Sequence, residues 1–263
     1  MNQVIAYYDQ IDEDSRFTRK SRRVEYLTTL HVLDPLLPAD ARILEVGAGG
    51  GAYSFTYAGR GHEVTAVDLT PKHIELIQAK SQETGIPLTA EVGNALNLSR
   101  YGEGTFDAVL CLGPMYHLTA EEDRDQCIEE CLRVLKPGGV LAIAYIGKFS
   151  VMPMLASRQR EFLREDVIRQ VLDRGMTRAG EETCFWTDAC FLSPQEMENM
   201  LARYEVVEVD HAGTDSICHT IQDAIDGMTE EEYGTWLSYH YETCREPSIR
   251  GMSTHGLYVC CKA

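Results

Sequence analysis

The chain has 263 residues, 44% of them apolar, which suffices for one domain with a substantial core. Its 24 Lys and Arg against 41 Asp and Glu give a formal charge of -17, a field that repels a phosphate backbone and argues against a nucleic-acid partner. No apolar run reaches the roughly 18 residues that a membrane span needs, and Met1 to Asp9 lacks the regions of a signal peptide, so a cytoplasmic protein is expected.

In chain order, the first feature is a basic cluster, Arg16, Arg19, Lys20, Arg22 and Arg23. Its plainest reading is a solvated helical face; contact with an anionic substrate or a cofactor carboxylate is the alternative. A buried strand over about 42 to 46 then runs into Gly47-Ala-Gly-Gly-Gly51, and a second strand over about 63 to 67 is closed by Asp68. Closely spaced glycines let the backbone approach a ligand, and an acidic residue about 20 positions on suits ribose hydroxyls, so the pair implies a nucleoside-containing cofactor. The Gly-x-Gly-x-Gly spacing alone fits a dinucleotide or S-adenosylmethionine. Glu45 tilts the balance, because a carboxylate beside a pyrophosphate is unfavourable but suits a zwitterionic methionine moiety or the network around it.

Thr70-Pro71 opens a helix with a cap residue and a proline at the first helical position. Strands follow at about 88 to 92, 106 to 111 and 140 to 146, and Thr119-Ala-Glu-Glu122 predicts a capping box for a helix ending near Leu135. Beyond residue 147 the spacing predicts an amphipathic helix over about 154 to 174, a helix from Ser193 and a strand over about 205 to 211. A helix opened by the box Thr229-Glu-Glu-Glu232 and a closing strand from His255 to Lys262 complete the chain. The nine cysteines contain no Cys-x-x-Cys pair, so no metal site is predicted and buried free thiols are the preferred reading. A soft ligand such as arsenite at Cys184 and Cys190 is a minor alternative.

Four segments in order resemble the class I S-adenosylmethionine-dependent methyltransferases over about residues 40 to 147: Leu44-Glu-Val-Gly-Ala-Gly-Gly-Gly51, Val67-Asp-Leu-Thr70, Gly93-Asn-Ala95, and Phe106-Asp-Ala-Val-Leu-Cys-Leu-Gly113 with Leu135-Lys-Pro-Gly-Gly139. The resemblance implies a Rossmann-like, doubly wound α/β fold, with a mainly parallel seven-stranded sheet, an antiparallel last strand and a helical lid. It implies a core of about 36–147 plus 193–211 and 253–263, and a lid from 1–35, 148–192 and 212–252. S-adenosylmethionine would be the cofactor and S-adenosylhomocysteine the product.

By the same resemblance, Gly47, Ala48 and Gly49 approach the methionine and ribose, Asp68 binds the ribose hydroxyls, and Leu69 lies on the adenine face. Asn94, where many relatives have Asp, meets the adenine edge with Ala95; Leu112 and Gly113 lie beside the sulfonium, and Tyr7 or Tyr8 closes over the cofactor. Methyl transfer is an in-line displacement needing a nucleophile about 3 to 3.5 Å from the methyl carbon. His117, just past the fourth strand, is a candidate base or orienting residue, with a cofactor contact and a structural role as alternatives; Tyr116 shares these readings. His255 is the third candidate, because an antiparallel last strand starts, with Ser253 beside it, on the edge where ligands bind. His31, His211 and His240 have weaker claims.

The segment Gly113-Pro-Met-Tyr116 lacks the Asn/Asp-Pro-Pro-Tyr/Phe loop of enzymes that methylate base amines or amides, which favours a small-molecule acceptor through O, N or S. An aromatic and sulfur-rich set, Tyr7, Tyr8, Phe17, Met152, Met154, Phe185, Trp186, Trp236, Tyr239 and Tyr241, suits either packing of the added helices or a water-excluding pocket. Lid helices with exposed aromatics suit a homodimer contact equally well. The competing classes are a non-catalytic cofactor-binding partner subunit and an NAD-dependent oxidoreductase.

Overall fold

The computed structural model describes residues 2–8, 10 and 15–263; residues 1, 9 and 11–14 of the amino-terminal lid segment lie outside them. Two helices, α1 (Asn2–Tyr8) and α2 (Lys20–Leu33), precede an alternation of strands and helices. That alternation runs β1 (Arg42–Val46), α3 (Ala52–Gly59), β2 (Glu63–Asp68), α4 (Pro71–Thr84), β3 (Thr89–Val92), β4 (Phe106–Cys111), α5 (Glu121–Val134) and β5 (Leu135–Gly147). The remainder is α6 (Val151–Arg158), α7 (Glu165–Arg169), the short hairpin β6 (Met176–Thr177) and β7 (Ala189–Leu192), α8 (Pro194–Leu201), β8 (Val206–Gly213), α9 (Gln222–Asp226), α10 (Glu230–Thr243), α11 (Pro247–Met252) and β9 (His255–Lys262).

Strands β3, β2, β1, β4 and β5 are parallel neighbours in that order, and β9 pairs antiparallel with both β5 and β8. The short β7 pairs with β5 only at Ile146 and Gly147, beyond the last residue of β5 that β4 reaches. The two sheet faces follow from side-chain alternation. Leu44, Val46, Val109, Cys111, Leu141 and Ile143 face α5 and α8, whereas Ile43, Ala108, Leu110, Val140 and Ala142 face α2 and α3. Each fully buried Leu, Ile or Val in these layers contributes about 1.5–3 kcal/mol. Both faces are therefore covered, as continuous apolar strands require. No helix among the described residues is long and apolar enough to cross a membrane.

Three local expectations are corrected. Helix α5 begins at Glu121 with Ala120 as its cap and no side-chain capping bond, so Thr119 forms no box; Glu121, Glu122 and Asp123 complement the helix dipole instead. The single helix over 154 to 174 is broken: α6 ends at Arg158, Gln159 leaves helical geometry, and α7 runs into a π-turn at Gln170–Arg174. A straight helix of that length would span about 30 Å, whereas the break folds Val151, Leu155, Val167 and Val171 onto one cluster with Phe185 and Phe191. The hairpin β6–β7 within the lid segment 148–192 was not predicted. The capping boxes at Ser193 and Thr229 are formed as the sequence suggests.

Candidate functional site

The glycine turn closes the carboxyl end of β1 against the loop after β4. The amides of Gly47 and Ala48 both donate to the carbonyl of Val67, at 2.7 and 3.1 Å. Gly47 has φ +74, and a Cβ there would sit 2.6 Å from Pro114 Cδ, so only glycine permits this approach. Gly113 is equally constrained, since its Cβ would lie 2.9 Å from the Gly47 carbonyl oxygen. Asp68 holds the loop from the next strand: Oδ2 accepts from Gly49 N at 2.8 Å, while Oδ1 accepts from Thr70 N at 2.8 Å and lies 3.1 Å from His73 Nδ1.

These residues line a cleft of about 810 Å³ that collects Tyr8, Gly47, Gly49, Asp68, Leu69, Asn94, Ala95, Gly113, Tyr116 and His117 from the predicted set. A recess of about 420 Å³ continues from it past Ala48, Leu112 and Glu45, with Arg16 and Glu25 on its wall. Asn94 Oδ1 accepts from Leu96 N at 3.0 Å, which fixes the amide at the turn after β3. Glu45 is 2% exposed and accepts from the Ser54 hydroxyl; burial pushes its carboxyl up to about 8, with the nearby Asp68 charge adding to the rise and Ser54 opposing it.

His117 has both ring nitrogens engaged. Nδ1 donates to the carbonyl of Asp188 at 2.8 Å, so Nε2 is the bare nitrogen and accepts from the Tyr8 hydroxyl at 2.8 Å. Burial pushes its pKa down to about 4. Its lone pair is thus engaged by Tyr8 of α1 at the cleft. Tyr116 is 4% exposed and lines the cleft, the recess and a second cavity.

The second cavity, about 1740 Å³, opens beyond Tyr8, Arg16 and Tyr116 and is walled by the insertions. Of the predicted aromatic and sulfur set, Tyr7, Tyr8, Met154, Phe185 and Trp186 line it. Phe17 lies in the recess, Met152 packs beside the cluster of Val151 and Phe185, and Trp236 packs with Tyr233. Tyr239 is exposed and Tyr241 stacks on His31 at 4.2 Å, so these make no wall. His211 is held between Tyr145 and Glu198, and His240 donates to the Thr214 carbonyl.

His255 reaches the wall of this cavity from the first residue of β9. Its Nδ1 donates to Asp215 Oδ2 at 2.7 Å and lies 3.5 Å from Glu25 Oε2. Asp215 is fully buried; Ser253 Oγ, predicted at this edge, donates to its Oδ1 at 2.7 Å and accepts from the amide of Ser216, whose φ of +49 is a strained value for a non-glycine residue. His219 Nε2 lies 3.2 Å from Asp215 Oδ2, and Arg16 pairs with Glu25 at 2.9 Å. Burial lowers the pKa of His255, but the Glu25 and Asp215 carboxylates outweigh it, and the net shift is upward from 6.5. Burial alone would raise Asp215, yet the charges of His255 and His219 hold it well below the carboxylate range.

A family model described as a methyltransferase domain matches residues 43–139. The chain is 31% identical over 193 residues to a ubiquinone biosynthesis O-methyltransferase of Xanthomonas oryzae pv. oryzae, covering 70% of this chain and 74% of the relative. A protein of the same name from Xanthomonas axonopodis pv. citri is 34% identical over 143 residues, 51% of this chain and 59% of that relative's length. A solved S-adenosylmethionine-dependent methyltransferase from Methanosarcina mazei superposes with a TM-score of 0.61 at 19% identity, covering 88% of this chain and 96% of that one, which bears on the fold. The chain belongs to the class I S-adenosylmethionine-dependent methyltransferases.

S-adenosylmethionine is accordingly the cofactor of this methyltransferase. Its predicted cofactor residues gather around the cleft and recess, at the carboxyl ends of the parallel strands. The sequence reading missed Glu25, Asp215, His219 and Arg158. In the polar chain Arg16–Glu25–His255–Asp215 that links the recess to the outer cavity, the sequence signalled Arg16 through the basic cluster and His255 through the edge position of the last strand.

Proposed function

We propose that this methyltransferase methylates a hydroxyl group of a small molecule, with the cofactor in the cleft and recess and the acceptor in the outer cavity. The observation that carries the reading is the meeting of the two cavities at Tyr8, Arg16 and Tyr116, with His255 on the acceptor side. The name of the Xanthomonas relatives, O-methyltransferase, favours oxygen as the nucleophile.

The residues fit the cofactor. Gly47 and Gly113 let the loops after β1 and β4 close on each other at the floor of the cleft, and Asp68 Oδ2, with one donor among the described residues, retains a lone pair for a ribose hydroxyl. Leu69 would lie against the adenine face, Asn94 and Ala95 would meet its edge, and Leu112 with Gly113 would border the sulfonium. In the recess Arg16 is suited to the methionine carboxylate and Glu45 to its ammonium. When bound, S-adenosylmethionine supplies an electrophilic methyl group.

His255 takes the proton of the acceptor hydroxyl at Nε2 as the oxygen attacks, because Nδ1 is fixed by Asp215 and the ring lines the cavity. Asp215 is the positioning residue that holds this tautomer and stabilises the imidazolium formed. Tyr8, Tyr116 and Trp186 exclude water from the junction. The test is thermal unfolding with S-adenosylhomocysteine and with NADH, followed by transfer from methyl-labelled S-adenosylmethionine to a panel of phenols and catechols. Stabilisation by S-adenosylhomocysteine alone, with label in an ether product, is expected; stabilisation by NADH alone would overturn the assignment.

A further inference from the structure

We propose that the acceptor carries an anionic group, a carboxylate or a phosphate, which seats on Arg19, Arg22 and Arg158 while its apolar part lies against Tyr7, Phe185 and Trp186. This rests on the reading of the outer cavity as the acceptor site.

Three observations converge. First, the arginines come from separate elements, Arg19 and Arg22 at the start of α2 and Arg158 at the end of α6, yet all three line one cavity. Second, among the described residues no Asp or Glu lines it, in a chain of net charge -17. Third, among the described residues none of the three is within ion-pair distance of a carboxylate, and Arg158 donates only to neutral acceptors, the His219 carbonyl and the Gln222 side chain.

A solvated helical face would scatter such charges outward, and part of the basic cluster does behave that way. Arg23 is exposed and does not line the cavity, while Lys20 pairs with Glu230 and the Met228 carbonyl. The remaining guanidiniums repel one another: burial and then Arg16 push the pKa of Arg22 down, and burial followed by Arg22 lowers that of Arg158. Arg22 is half-buried and Arg19 and Arg158 are exposed, yet all three line the cavity without an ion-paired carboxylate, so an anion that enters meets three guanidiniums and relieves their mutual repulsion. Guanidinium groups also suit the planar or tetrahedral oxygens of carboxylate and phosphate. The aromatic wall beside them supplies the apolar contact.

The probe is 1-anilinonaphthalene-8-sulfonate, an aromatic anion, compared with its uncharged counterpart N-phenyl-1-naphthylamine, both titrated by fluorescence in the presence of S-adenosylhomocysteine. The sulfonate should saturate a single site, and the double variant Arg19→Gln, Arg22→Gln should weaken it by about tenfold or more while changing the neutral dye less than about twofold. Displacement by benzoate against phenyl phosphate then separates the two anion sources. Equal affinity of the dyes, or a sulfonate affinity unmoved by the substitutions, would overturn the proposal. Arg158→Gln gives the same reading should the double variant not fold, and the thermal shift with S-adenosylhomocysteine reports separately on the cofactor site.

Discussion

The two cavities that meet at Tyr8, Arg16 and Tyr116 are built from different kinds of sequence. The cofactor cleft is backbone architecture: Gly47 at φ +74 and Gly113 against the Gly47 carbonyl bring two loops together because neither carries a Cβ, and Asp68 ties them to β2. The outer cavity is side-chain architecture, walled by α1, α2, α6 and the segments around β7 and α9, with its polar wall assembled from residues as far apart as Arg16 and His255. Constraint by glycine leaves little freedom, whereas a wall of side chains on insertions can be rebuilt around another acceptor. Substitutions in the first should therefore cost cofactor affinity, and those in the second turnover or acceptor choice.

The largest expected effect is in the outer cavity. His255→Gln should lower kcat by about a hundredfold or more, the contribution of a positioned base, with the affinity for S-adenosylhomocysteine unchanged. The groups facing the ring set the pH dependence: Glu25 and Asp215 raise its pKa, Arg16 lowers it, and the His219 ring lies 5.3 Å away. Because the base must be neutral, turnover should rise with pH through a step above 6.5. Asp215→Asn should move that step to lower pH and lower the plateau. The same upward shift stabilises the fold most below the unfolded value of His255, and that stability is lost as pH rises through the folded one. A kcat that is flat in pH, or intact in His255→Gln, would remove the base from the mechanism.

In the cleft, Asp68→Ala should weaken S-adenosylhomocysteine by more than about tenfold by calorimetry, since it removes the acceptor proposed for the ribose and loosens the Gly49 amide together. Unchanged affinity would sink the ribose assignment.

What the sequence disclosed follows the same division. Gly47, Asp68 and Gly113 were legible as a group because a close approach of backbone demands glycine and the acid that ties the glycine turn closes the next strand, both at fixed offsets from strands. His255 was legible only through topology: an antiparallel strand starts at the ligand edge. Asp215, His219 and Glu25 were not, because nothing local marks a turn at Ser216 as the place where three elements converge. Arg158 was hidden by the apolar spacing over 154 to 174, which reads as one helix although the cluster of Val151, Val167 and Phe185 breaks it. His117 drew attention by its position after β4, but its hydrogen bonds to Asp188 and Tyr8 are tertiary and left no trace in the chain.

That last point gives a smaller prediction. His117→Ala should cost about 1–2 kcal/mol of stability through two lost hydrogen bonds, while kcat at saturating cofactor stays within about fivefold. A loss comparable with that of His255→Gln would return the base to His117 and reverse the assignment of roles between the two cavities.

The smallest effect concerns Glu45, where the cleft behaves least like a passive cradle. Its carboxyl is pushed up to about 8, so the ligand-free protein holds it mostly protonated near neutral pH. An ammonium group arriving in the recess favours the carboxylate, so binding of S-adenosylhomocysteine should release a proton at pH 7. Calorimetry in buffers of different ionisation enthalpy measures that proton directly. Glu45→Gln copies the protonated form; it should abolish the release while weakening affinity only about threefold, because ionising a buried acid offsets much of the attraction gained. It should also raise the melting temperature at pH 9 more than at pH 5, since stability held by a protonated carboxyl is lost as pH rises through its folded pKa. A proton release that survives in Glu45→Gln would show that another group in the recess, with Glu25 the nearest by position, answers the ammonium.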